Sequence, residues 1–251
     1  MQIFGNLWRW TAQVDFGMTL IVIAHRACPN HTAENSLEGI RRAAELNADA
    51  VEIDVRLTHD GVPVLMHDRT LRRTTGRAKP ISAISFDTLR RLRLSNGEPV
   101  PTFAEALDAL PQRLRVAVDV KVPHAINPII DEIRNQHRQR DAMVWSQHLS
   151  PARVTAHREP EIEASLLRDT FTPWGHRAFL RDAQRCGARG VSARWEAVTP
   201  AFTASAHRMG LIVYSWSRSP SVPLLKLPLL DGLVTDWPAE ARATVIAANA
   251  T

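Results

Sequence analysis

Between Val51 and Asp68 the chain reads VEIDVRLTHDGVPVLMHD. Glu52 and Asp54 lie two residues apart inside an apolar run, and His67-Asp68 closes a second one. Side chains alternate across an extended strand, so Glu52 and Asp54 share one face and Val51, Ile53 and Val55 the other. The spacing returns at Asp119 and Lys121 in RVAVDVK. Buried like charges are costly unless something positive neutralises them. Lys121 supplies one charge against three carboxylates, enough to pair with one of them. A hard divalent cation held by oxygens, Mg²⁺ or Ca²⁺, is the economical partner. A buried salt-bridge network with Arg26 and Lys121 is the other arrangement these residues allow.

Such groups need a scaffold that gathers them. Short apolar runs at 20–25, 50–55, 115–121, 143–147, 163–168, 190–193, 211–216 and 232–236 alternate with helix-like stretches such as SLEGIRRAAELN and NPIIDEIRNQ. That rhythm implies parallel strands joined by right-handed crossovers. Eight units in 251 residues predict an α/β fold, a (β/α)8 TIM barrel. An open doubly wound sheet fits less well, because no glycine-rich phosphate loop follows the first strand. After the second strand the rhythm breaks. THDGVPVLMHD reads as a hairpin around an Asp-Gly turn, followed by polar LRRTTGRAKP and a short helix near FDTLRRLRL. The expectation is one domain over 18–251 with a small insertion at about 58–100. Barrel chemistry gathers at the C-terminal ends of strands. There lie His25 and Arg26, Glu52 and Asp54, Asp119 and Lys121, Trp216 and Asp236, with His67 delivered by the hairpin.

Composition narrows the classes. The formal net charge is +5 and the pI about 10.0, yet the basic residues form no run of the kind that binds nucleic acid. No apolar stretch is long enough for a transmembrane helix. MQIFGNLWRWTAQVDFG lacks the layout of a secretory leader, so residues 1–17 read as an N-terminal extension, or, through Trp8, Trp10 and Phe16, as a weak surface anchor. Two cysteines, Cys28 and Cys186, cannot staple so long a chain, which favours a cytoplasmic location.

The motifs, in order, resemble the glycerophosphodiester phosphodiesterase family. That family's pattern is His-Arg-Gly, Pro-Glu-Asn-Thr, Glu-x-Asp, Thr-x-Asp-Gly-x-x-Val-x-x-His-Asp and Glu-x-Lys. This chain reads AHRACPNHTAENSLEGI, then AVEIDVRLTHDGVPVLMHD, then VAVDVK, and closes with LIVYSWS and DGLVTDWP. The resemblance covers roughly 20–240. It implies a barrel enzyme that cleaves glycerophosphodiesters to glycerol 3-phosphate and an alcohol, a small-molecule substrate. It further implies that His25 and His67 act as general acid and base, that Glu52, Asp54 and Asp119 hold the metal, that Arg26 and Lys121 face the phosphate, and that Trp216 lines the pocket. Two other activities fit the same residues: a lysophospholipase D-type phosphodiesterase on lipids, and a module that binds glycerophosphodiesters without turnover. The chain departs from the pattern at Ala27, where the family has glycine, at Thr-Ala-Glu-Asn-Ser, and at Asp119, where it has glutamate.

Overall fold

The computed structural model describes residues 20–169, 175–217 and 229–249; the extension expected over 1–17 lies outside them. The apolar runs become strands β1 (Ile21–Ala24), β2 (Ala50–Leu57), β3 (Pro63–Leu65), β4 (Arg115–Val120), β5 (Ala142–Ser146), β6 (Glu163–Arg168), β7 (Gly190–Arg194), β8 (Ile212–Ser217) and β9 (Gly232–Thr235). All but β3 run parallel, in the order β1-β9-β8-β7-β6-β5-β4-β2. Pairing of Ile23 with Ala50 and Ala24 with Val51 joins β1 to β2 and closes the ring. This is the TIM barrel the sequence implies. β3 lies antiparallel on the C-terminal half of β2, with Val55 opposite Leu65, and starts the expected insertion.

The helices are α1 (Leu37–Glu45), α2 (Arg72–Thr75), α3 (Phe86–Leu89), α4 (Phe103–Ala109), α5 (Ile126–Asn135), α6 (Leu149–Arg158), α7 (Gly175–Arg185), α8 (Pro200–Arg208) and α9 (Pro238–Asn249). α1, α4 and α8 start on side-chain caps. Ser36 accepts from the Gly39 amide at 3.0 Å, and Thr102 with Glu105 forms a capping box on α4. Val51, Ile53, Val55, Val116 and Val118 face outward and pack against Ile40, Phe103, Ile129 and Ile133 of the surrounding helices. Each such side chain contributes about 1.5–3 kcal/mol on burial.

Inward-facing residues fill the barrel. Tyr214 packs its ring 4.8 Å from that of Trp145 and donates its hydroxyl to Glu163 at 2.7 Å. A Cβ at position 232 would fall 2.6 Å from the Tyr214 ring, so glycine is what admits the phenol. Above the barrel the insertion has its own small core, including Val64, Met66, Leu71, Ile81, Leu89 and Leu94. That core makes a firm platform of the segment that carries His67.

Candidate active site

The turn after β1 is strained. Arg26, Ala27 and Cys28 have φ of 43°, 55° and 61°, a left-handed run that costs a non-glycine residue about 1–2 kcal/mol. Hydrogen bonds on both sides hold it. Cys28 N donates to His25 O at 3.0 Å, and His31 N to Cys28 O at 3.0 Å. Asn35 N donates to Arg26 O at 2.8 Å, and Arg26 N to the Glu52 carboxylate at 2.8 Å. The alanine that stands where the family pattern has glycine adopts a φ of 55°. Cys28 is buried, which pushes its thiol up to about 12 and leaves it a packing residue.

Glu52 and Asp54 point into the barrel from β2, and Asp119 joins them from β4, where it is the register partner of Asp54. All three are buried, and one oxygen of each lies within 4.8 Å of the others. Asn35 clamps Asp54 twice, donating to its carboxylate at 2.8 Å and accepting from its amide at 2.9 Å. Lys121 does more than pair with one acid. Its ammonium lies 2.8 Å from Asp54 and also hydrogen-bonds Asp119. Burial, and then the charge of Asp54, push the Glu52 carboxyl well above its usual range. Burial raises Asp119 too, against the pull of Lys121. Burial also acts to raise Asp54, but Lys121, His67 and Arg26 outweigh it and hold that acid low. Three acids thus share one lysine, burial resists their ionising together without a further positive charge, and the donors are all oxygens. Those properties fit a hard divalent cation.

His67 and His25 are each fixed from behind. His67 Nδ1 lies 2.7 Å from Asp68, and Arg56 donates twice to the His67 carbonyl, at 2.9 and 2.8 Å. Arg73 Nε donates to Asp68 at 2.7 Å, and its other nitrogens grip Glu34 at 2.5 and 2.7 Å. Glu34 and Asp54 each lie 3.6 Å from the Arg26 guanidinium, whose buried Nε has no hydrogen-bond partner. Across the mouth, His25 Nδ1 lies 2.5 Å from Asp236 beyond β9. In both histidines the Nδ1 side is engaged, which sets the tautomer and leaves Nε2 for chemistry.

One cleft collects these groups. His25, Arg26, Glu52, Asp54, His67, Asp119, Lys121 and Trp216 all line it, so every residue singled out for the site is brought together. Trp145, Leu167, Ser192 and Val234 complete its wall, and Gln147 bonds Asp169 at 2.9 Å on the rim. Trp216 lies under the Arg194 guanidinium, 5.5 Å away. Sequence reasoning gave no part to Asn35, Arg56, Arg73, Trp145 or Ser192. For Arg56 a signal existed, since it follows Asp54 by two on the same strand face.

Residues 25–240 match the sequence profile of the "Glycerophosphoryl diester phosphodiesterase family". A Mycobacterium tuberculosis protein named "Probable glycerophosphodiester phosphodiesterase 2" is 29% identical over 243 residues, covering 90% of this chain and 91% of its own. The crystal structure of a glycerophosphodiester phosphodiesterase from Parabacteroides distasonis superposes with a TM-score of 0.81 at 22% identity, covering 93% of this chain and 99% of that one. A phosphodiesterase of Oleispira antarctica, solved with the product sn-glycerol-3-phosphate, superposes at 0.79 with 21% identity, covering 90% and 96%. The profile spans most of the barrel and every motif described above, and the chain belongs to the glycerophosphoryl diester phosphodiesterase family.

Proposed function

We propose that this chain hydrolyses glycerophosphodiesters to glycerol 3-phosphate and an alcohol, with Glu52, Asp54 and Asp119 holding one Mg²⁺ or Ca²⁺. The observation that carries the reading is the pair of imidazoles, each backed by an aspartate at Nδ1, facing the same cleft as the carboxylates. When bound, the cation supplies Lewis-acid stabilisation of charge on a phosphoryl oxygen. Arg26, whose Nε makes no hydrogen bond within the protein, donates to a non-bridging oxygen. Lys121 spans Asp54 and Asp119 and presents the remaining positive charge. One histidine removes a proton from the nucleophile at Nε2, and the other returns one to the departing alkoxide. Asp68 and Asp236 orient the rings and stabilise each imidazolium as it forms. Trp216 forms part of the wall against which the substrate lies.

We read 18–251 as one catalytic unit acting on a small-molecule substrate. Among the described residues no helix is long and apolar enough to cross a membrane, and both cysteines are buried free thiols, in keeping with a reducing, cytoplasmic setting. The test is product analysis on a panel of glycerophosphodiesters and lysophospholipids, before and after exhaustive chelation. Metal-dependent release of glycerol 3-phosphate is expected. A higher kcat/KM for lysophospholipids would replace this reading with a lysophospholipase D-type one.

A further inference from the structure

Among the described residues, five buried side-chain polar atoms have no hydrogen-bond partner within the protein: Arg26 Nε, Trp145 Nε1, Arg168 Nε, Ser192 Oγ and Thr203 Oγ1. Three of the five belong to residues that line one cleft. Buried polar groups are ordinarily satisfied, so such a concentration calls for a cause. Arg26 has one in the phosphate. Trp145 and Ser192 have none in the mechanism above.

Their positions are built rather than incidental. Trp145 is the register partner of Asp119, one strand along from the carboxylate cluster. Its indole is held against the Tyr214 ring, and Tyr214 is the register partner of Ser192. Tyr214 is itself anchored by Glu163. The two unmet groups therefore stand on the β5–β7 wall, braced by one buried phenol. Indole N–H is a donor only, whereas a serine hydroxyl both donates and accepts. The ligand that meets both must offer an acceptor to one and a donor or acceptor to the other. A hydroxyl-bearing carbon chain does so; an apolar one does not.

We propose that Ser192 and Trp145 form the subsite for the hydroxyls of the glycerol end, the polyol lying along the β5–β7 wall while its phosphate meets Arg26. This rests on the hydrolytic reading above and names residues that choose the substrate. An acyl or alkyl chain on that wall would leave both groups unmet, so the subsite selects for a free polyol.

The test is calorimetric titration, in the presence of Ca²⁺, of wild type, Ser192→Ala and Trp145→Phe with glycerol 3-phosphate and with propyl phosphate, which lacks the hydroxyls. Glycerol 3-phosphate should bind about tenfold more weakly to Ser192→Ala, with propyl phosphate within about twofold. Trp145→Phe should shift the same ratio in the same direction. Ser192→Ala should melt no lower than wild type, because it removes an unmet buried hydroxyl. Equal losses for both ligands, or no loss for glycerol 3-phosphate, would overturn the proposal. Hydrolysis of glycerophosphocholine by wild type is scored separately. Its absence, with the binding discrimination intact, would sink the hydrolytic reading and leave the subsite standing.

Discussion

His67 is held between opposing influences. Burial lowers its pKa, Asp54 and Asp68 raise it, and Lys121 and Arg26 lower it again. Asp68 is itself held low, at about 2, by its hydrogen bonds to Arg73 and His67, so it stays ionised across any assay range. Asp68→Asn keeps the shape and removes the charge that favours the imidazolium. The His67 pKa should fall further, so the limb of the kcat/KM profile that reports it moves to lower pH. The looser ring should also cost up to about a hundredfold in kcat. An unmoved limb would mean that His67 does not titrate in catalysis. His25→Ala and His67→Ala should each lower kcat by at least about a hundredfold, the usual share of a positioned acid or base. Asp119, a methylene shorter than the family's glutamate, is already bonded by Lys121. Asp119→Glu should retain metal affinity and Asp119→Asn lose it, as read by calorimetric titration. Equal affinity in Asp119→Asn and wild type would make the three carboxylates a salt-bridge network.

α1 seats itself on the strained turn after β1. A Cβ on Gly39 would fall 2.0 Å from the Ala27 carbonyl oxygen, inside any tolerable contact. Gly39→Ala should therefore cost about 1–3 kcal/mol in chemical denaturation, the range for overpacking. It should also lower kcat by moving His25 and Arg26. Full activity at wild-type stability would show that helix and turn slide apart freely. At this scale much was legible. Strands buried on both faces appear as β-branched runs, and the two-residue carboxylate spacing survives any strand-boundary error. What stayed hidden was pairing across long separations. Asp236 reaches His25 only because the ring closes β9 onto β1. Glu34 meets Arg73 only because the insertion folds back over the mouth. Unmet groups such as Ser192 Oγ are invisible in sequence, since satisfaction is a property of the neighbours.

Over the whole molecule, charge is unevenly spread. Residues 58–100 hold eight basic and four acidic side chains, so the insertion accounts for most of the net charge of +5. Arg69, Arg72, Arg77 and Lys79 fall close together in the sequence just after His67, on one short excursion closed by hydrogen bonds from the Leu71 amide to the Lys79 carbonyl and from the Ile81 amide to the Arg69 carbonyl. All four are exposed. The carboxylate cluster on its own repels a phosphodiester, and the exposed basic residues of the excursion that follows His67 oppose that field and raise the local concentration of anions. Exposed charges act over roughly 8–10 Å at ordinary salt and less as salt rises. At saturating metal, kcat/KM should therefore fall by about two- to fivefold from low to high ionic strength, with kcat nearly constant. The double variant Arg72→Glu/Arg77→Glu should lower kcat/KM at low salt and flatten its salt dependence, again sparing kcat. A slope as steep in the double variant as in wild type would place the attraction in Arg26 and the bound cation alone, and the insertion would then serve only to carry His67.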